Sequence, residues 1–528
     1  MESIMTNNSN TNNFVFPNYV IVCIFLILLY IYGRWPFYHL RKYKIPGPEP
    51  TIFIGSLHKF RKQAGEFDLQ TIHKYGKVAG YYLGRVPSIL IADPNMLKDI
   101  CVKEFSTFTN RYSSPRIRRK SVFNSFLTAI KDDHWKFMRS VLAPTFSSRR
   151  MREMAPLVQK AVQNLKENFE SFAVNEEEVD IVNVFSAYTM DVIASTAFGI
   201  EVNSQKTPEN PLVKHARSIF RINILRSLFV LLFLIRPIWI VYPLIVLLPS
   251  PFKKSTAFLQ EFCENVISVR KRDKSKARDD LLQLMLSAQL ETSLDSETKA
   301  EIKDEVESLK IENLQDWKMK RGLKDEEVVA QSILFLIAGY ETTSATLSFL
   351  AHSLALNTDI QEKLYNEVIS ILGEESANYD NVQKLPYLDM CMSETLRIYP
   401  IASRVNREAK RDICIRGWTI PAETEIVIPI YALHHSPEYW PEPEKFDPER
   451  FTPEAVAARK PFTYLPFGAG PRICAGMRLA HMELKMAMVE AIRKYKFIPC
   501  SKTEYPIKFN NGIILSAKNG IWLKVERR

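Results

Sequence analysis

The stretch FVFPNYVIVCIFLILLYIYG, residues Phe14 to Gly33, constrains this chain more than any other. About 20 nearly unbroken apolar residues, at 1.5 Å rise each, match the roughly 30 Å hydrocarbon core of a bilayer. No lysine or arginine precedes the stretch, whereas Arg34, Arg41, Lys42 and Lys44 follow it closely. That asymmetry puts the following chain on the cytoplasmic side. A cleaved signal peptide would want a basic start, a shorter apolar core and a small-residue cleavage site, none of which is present. The expectation is a tail over residues 1–13 on the luminal side, a single transmembrane anchor over 14–33, and everything else in the cytoplasm.

KIPGPEP, Lys44 to Pro50, is proline-rich and tends to stay extended, because each residue before a proline is pushed out of the α region. Residues 34–50 therefore read as a basic, stiff hinge at the membrane surface, with one domain over 51–528. KVAGYYLG and SILIADP show partial alternation around Arg85, Val86 and Pro87, the pattern of a β-hairpin. Helical periodicity dominates from Phe105 to Ser204 and from Asp325 to Gly373, and strand character returns over Ile413 to Ile430. The predicted fold is mainly α with small β-sheets (α+β).

Two segments interrupt it. SLFVLLFLIRPIWIVYPLIVLLP, residues 227–249, is long enough to suggest a second span, but Arg236, Pro237 and Pro243 break it; an interior proline costs a helix roughly 3 kcal/mol. It reads as a monotopic, membrane-dipping lid. Residues 291–321 are crowded with glutamate, aspartate and lysine and read as a charged surface insertion. A formal net charge of +11 suits an anionic membrane surface or an acidic protein partner; no nucleic-acid partner is expected. The seven cysteines are odd in number and share no close spacing, which argues against a disulfide framework or a zinc site.

One cysteine stands apart. Cys474, in FGAGPRICAG, immediately precedes the helical pattern AGMRLAHMELKMAMVEAIRK. A helix amino terminus and Arg472 both favour a thiolate there, either as a nucleophile or as an iron ligand. A nucleophile needs a base, and the nearby His481 reads as an ordinary helix residue. Iron held through a single protein sulfur takes its other ligands from a porphyrin.

Phe467, Gly470, Arg472, Cys474 and Gly476 fit F-x-x-G-x-R-x-C-x-G at every position, and by that signature the chain resembles the cytochrome P-450 monooxygenases. The likeness runs from Lys44 to the end of the chain. SETLRIYP supplies the E-x-x-R pair Glu394 and Arg397, and Arg450 in FDPERF is similar to the third member of that network. LIAGYETTS lies in a long apolar helical run. Gly339 removes bulk beside Ala338, and the Thr342 hydroxyl can bond back to the carbonyl of residue 338, loosening the helix into a groove for dioxygen and water. Glu341 resembles the acid of the family's acid-alcohol pair.

The resemblance implies haem b with Cys474 as its axial ligand. The signature residues Phe467, Gly470, Arg472 and Gly476 would cradle it, with the glycines letting backbone lie against the porphyrin. Arg472, Arg139, Trp135, Arg407 and Arg111 would receive its propionates. Ile337, Ala338, Thr342, Ile401 and Ala402 would face substrate. AGYETTS, YLDM, FTYLPFGAGPR and GIWLKVERR are most similar to the animal microsomal group that holds the 3A subfamily and thromboxane synthase. Thromboxane synthase lacks the acid-alcohol motif, and this chain has it. The implied activity is therefore insertion of one oxygen atom of O2 into a lipophilic xenobiotic, steroid or fatty-acid-like substrate. Electrons would come from NADPH through NADPH-cytochrome P-450 reductase, with cytochrome b5 as a second candidate donor, at the endoplasmic reticulum membrane. Lys136, Arg149 and Arg150 are candidate reductase contacts. The alternatives are an O2-independent haem-thiolate isomerase and a non-catalytic haem-binding sensor.

Overall fold

The computed structural model describes residues 18–528 except 62, 113–120, 208, 221–251, 274–279, 291–321, 511 and 513. The segments read as a lid (227–249) and a charged insertion (291–321), and residues 14–17 of the anchor, lie outside the described residues.

Eight helices bear on the site: α1 (Asn18–Arg34), α2 (Tyr38–Lys42), α3 (Asp132–Leu142), α4 (Ser148–Val174), α5 (Ile181–Phe198), α6 (Asp325–Leu356), α7 (Pro386–Ile398) and α8 (Met477–Lys494). The strands are β1 (Val78–Leu83), β2 (Val86–Ile91), β3 (Val179–Asp180), β4 (Val405–Glu408), β5 (Ile413–Ile415), β6 (Trp418–Ile420), β7 (Glu425–Ile428), β8 (Tyr495–Pro499) and β9 (Trp522–Arg527). The expected hairpin is present as antiparallel β1 and β2. It continues through parallel β7 to antiparallel β4, giving the order β1-β2-β7-β4. A three-stranded sheet β3-β9-β8 and a β5-β6 hairpin complete the strands. The α+β prediction holds.

Two large hydrophobic cores form among the described residues, with a small third cluster of Phe67, Tyr81, Leu90 and Val427 at the sheet. One is helical and gathers α3 to α8; the other lies against the four-stranded sheet around Ile89, Ile91, Ile426 and Ile428. The spine of the first is α6. Its first turn carries Asp325, Glu326 and Glu327 at the positive end of the helix dipole, and Glu327 accepts a hydrogen bond from the Lys324 N–H at 2.9 Å. Its middle crosses α5 at Gly339, where an added Cβ would stand 2.8 Å from Ile193 Cδ1. Beside that contact the Thr189 hydroxyl donates to the Tyr340 carbonyl at 2.9 Å. Gly339 thus serves close helix packing at this crossing.

Within 34–50, the extended part is the 44–50 stretch, as expected, and helix precedes it. Residues Trp35–Phe37 form a 3-10 turn that runs directly into α2, so the chain stays helical as far as Lys42. Pro36 lies in the first turn, where its missing N–H and fixed φ cost nothing. Only 43–50 depart from helix.

Replacing Gly339 with Ala is expected to lower stability by about 1–2 kcal/mol through overpacking. Ile193→Val, which deletes the Cδ1 in the way, should restore part of the loss. Thermal unfolding of the two single variants and the double variant checks this.

Candidate functional site

The site forms where the cysteine loop curls between the two cores. Gly468 and Gly470 take left-handed φ of +80° and +68°, which glycine adopts without strain. At Gly470 space decides as well: a Cβ would fall 2.0 Å from the Cys101 carbonyl oxygen. The Cys474 N–H donates to the Phe467 carbonyl at 3.0 Å and the Ile473 N–H to Gly470 at 2.9 Å, closing the loop. Cys474 is exposed, and what it is exposed to is a cavity of about 310 Å³.

That cavity joins most of the predicted residues. Its wall includes Cys474, Phe467, Gly476, Arg472, Arg111, Arg139 and Trp135 on the loop side, with Ala338, Gly339 and Thr342 from α6 and Ile401 and Ala402 from the chain after α7. Gly470 is not in the wall, and its lack of a Cβ serves the contact with Cys101 rather than a porphyrin face. Ile337 is not in the wall either; it is 5% exposed and packs in the helical core, because it sits one residue round the helix from Ala338.

The Thr342 hydroxyl donates to the Ala338 carbonyl at 2.7 Å, the back-bond expected from the spacing. The helix nevertheless runs unbroken from Asp325 to Leu356, so this bond opens no gap in the ladder. Glu341 is absent from the cavity wall and lies near Arg217, whose guanidinium it helps hold protonated.

The loop side is strongly cationic. Arg472 is buried and spends three donors on backbone carbonyls, Thr109 at 2.9 Å, Leu127 at 3.1 Å and Ile130 at 3.1 Å. Its guanidinium also stacks 4.0 Å from the centre of the Trp135 ring. Burial, with Arg111, Arg407 and Arg139 nearby, pushes its pKa down to about 8; Arg111 falls to about 10 through burial and Arg407. Arg407 is 1% exposed and stands outside the wall, donating to the carbonyls of Asn406 at 2.9 Å and Ala469 at 3.4 Å. Buried like charges of this kind require a compensating anion. A haem, with one sulfur ligand to its iron and two propionates, fits that donor set.

Burial pushes the Cys474 thiol up in this protein, against the Gly476 N–H and the charges of Arg139 and Arg111. The helix start contributes little to a thiolate here, since α8 begins at Met477 and its cap offers the sulfur that one N–H. A metal at the sulfur reverses that balance by its own charge.

Glu394, Arg397 and Arg450 come together behind the loop. Arg397 Nε and Nη2 donate to the Glu394 carboxylate at 2.7 and 2.9 Å, and Arg450 Nε approaches it at 3.4 Å. The Asp447 N–H donates to Glu394 at 3.0 Å, and Arg397 Nη1 to the His434 carbonyl at 3.0 Å.

Several wall residues escaped sequence reasoning, among them Phe335, Ile514 and one acid. Glu483 of α8 is 1% exposed, and burial pushes its carboxyl well up, toward the neutral form, with Thr343 as its hydrogen-bond partner. The only signal was a glutamate among apolar residues in HMELKMAM.

The Cytochrome P450 family model matches residues 45–525. Cytochrome P450 3A2 of Rattus norvegicus is 38% identical over 509 residues, covering 96% of each chain. Cytochrome P450 3A6 of Oryctolagus cuniculus (38% identical) and 3A12 of Canis lupus familiaris (37%) each align over 98% of both chains.

Arg397→Ala should destabilise the fold by about 3–5 kcal/mol, because it leaves the Glu394 carboxylate buried without its main partner. Paired apolar replacement, Glu394→Leu with Arg397→Met, should cost less than the single change. Denaturant unfolding measures both.

Proposed function

The chain belongs to the cytochrome P450 family, and from that premise we propose that it inserts one atom of O2 into lipophilic small molecules with electrons delivered from NADPH by a reductase. The family makes it a haem-thiolate monooxygenase that uses O2 and NADPH. When bound, the haem supplies the iron at which dioxygen is reduced and made able to attack a C–H bond.

The residues divide the remaining work. Cys474 Sγ holds the iron, with Phe467 and Gly476 along its loop. Arg111, Arg139 and Arg472 hold the propionates with the Trp135 N–H, and Arg407 adds positive charge from behind the wall. The Thr342 hydroxyl spends its proton on the Ala338 carbonyl and keeps its lone pairs, so it accepts from a water and fixes where that water presents a proton. Glu341, next to Thr342 but off the wall, supplies protons to that water through solvent rather than by direct contact. Ala338, Phe335, Ile401, Ala402 and Ile514 make the wall apolar, which excludes bulk water and favours a lipophilic substrate. The Glu394, Arg397 and Arg450 network positions the loop and touches no reacting atom.

The reductase would dock on α3 and the start of α4. There Lys136 pairs with Asp133 at 3.1 Å, and Arg149 and Arg150 pair with Glu153 at 3.1 and 2.8 Å. An acidic partner would exchange these exposed pairs for its own, a contact weakened by salt. Cytochrome b5 would use the same face. The anchor would cross the endoplasmic reticulum membrane once, with the domain on the cytoplasmic side.

The observation that carries the reading is that Cys474, Thr342 and three arginines, Arg139 and Arg472 buried and Arg111 half-buried, share one cavity. The reduced, carbon monoxide difference spectrum tests it: the wild type should show the red-shifted Soret band of thiolate-ligated haem, and Cys474→His should lose it. Thr342→Ala should lower product formed per NADPH by about tenfold to a hundredfold and release peroxide instead. Indifference to Thr342→Ala together with turnover of a peroxide substrate without NADPH would favour an isomerase, and absence of reductase-dependent oxygen uptake a sensor.

A further inference from the structure

The anchor does not hang from the domain by a loose tether. At its end, an added Cβ on Gly33 would stand 2.6 Å from Ile52 Cγ2 and 2.9 Å from Phe53 Cζ, so the helix is seated directly on the 51–55 turn. Phe53 takes a left-handed φ of +65° in that turn. Arg85, at the tip of the β1-β2 hairpin and 5% exposed, donates through Nη2 to the Tyr32 carbonyl at 2.9 Å. Its guanidinium also lies 3.7 Å from the centre of the Tyr32 ring. A cation from the domain thus meets a last-turn carbonyl at the negative end of the anchor's helix dipole.

The next turns are fitted just as closely. The Tyr82 hydroxyl of β1 donates to the Phe37 carbonyl at 3.1 Å and accepts from the Leu40 N–H at 3.0 Å. A Cβ on Gly80 would fall 2.7 Å from Leu40 Cδ1. The opposite face of the same turns is bare: Trp35 is 74% and Tyr38 63% exposed, with Arg41 and Lys42 beside them. Aromatic rings and cations one turn beyond an apolar span are the chemistry that settles among anionic phospholipid headgroups.

We propose that anchor and catalytic domain move in the membrane as one rigid body, locked where Gly33 and Tyr32 seat against Ile52, Phe53 and Arg85, with Trp35, Tyr38, Arg41 and Lys42 resting in the phospholipid headgroups. The bilayer then sets the tilt of the domain. The proposal rests on reading α1 as a membrane span.

The test uses the full-length holoenzyme in phosphatidylcholine–phosphatidylserine nanodiscs. Linear dichroism of oriented discs gives the haem tilt, and trypsin cleavage at Arg41, Lys42 and Lys44 reports undocking. Gly33→Leu should change or broaden the tilt distribution and speed cleavage about tenfold, as expected when a docked segment opens more often. Tyr32→Ala, which alters only the anchor and leaves the domain's sequence intact, should do the same while the reduced carbon monoxide spectrum stays unchanged. Unchanged tilt and cleavage in both membrane-inserted variants overturn the proposal alone. A wild-type chain washed from membranes by alkaline carbonate overturns the span and the proposal with it.

Discussion

A carboxylate with no exposed surface, Glu394, is held between Arg397 on its own helix and Arg450 some fifty residues later. Burying those charges is costly, and the geometry offsets the cost only because Asp447 and His434 supply the remaining hydrogen bonds. The result ties α7 to the chain that leads into the cysteine loop. The loop itself has little regular structure, so its shape depends on what it is packed against. The Cys101 carbonyl under Gly470 and the Glu394 network behind it leave little freedom for where Cys474 stands.

Electrostatics in the cavity runs in one direction. Three arginines reach the wall and a fourth sits behind it, each with its charged form penalised by burial or by its neighbours in the cases of Arg111, Arg407 and Arg472. Backbone carbonyls satisfy the geometry of Arg472 without neutralising its charge. The wall arginines therefore set up a positive field, opposed in part by Asp132, that a dianionic prosthetic group would relieve. Glu483, the carboxyl in the same wall, offers little relief because burial pushes it toward the neutral form.

What was legible in the sequence was set by short-range rules. The signature around Cys474, the Glu394 and Arg397 spacing, the hairpin flanking Arg85 and the Thr342 back-bond to residue 338 all depend on neighbours within one turn or one loop. What was misread depends on partners far away in the chain. Gly339 reaches the cavity wall and also makes room for Ile193; Gly470 looked like a porphyrin contact and is a contact with Cys101. Ile337 looked like a pocket residue because its position was inferred from a motif rather than from the phase of the helix. The reading of 44–50 as extended holds, and what was missed lies before it, where Pro36 begins a helical turn.

Arg472 has a consequence for folding as well as for charge. The stretch from Thr109 to Ile130 begins and ends on carbonyls held by this single guanidinium, two residues from Cys474. Arg472 is thus a noncovalent staple that closes a long loop, and the closure entropy of that loop is charged against the cysteine segment. Neither segment can reach its final place before the other. The cysteine loop and the carbonyls of Thr109 and Ile130 are therefore coupled through one side chain.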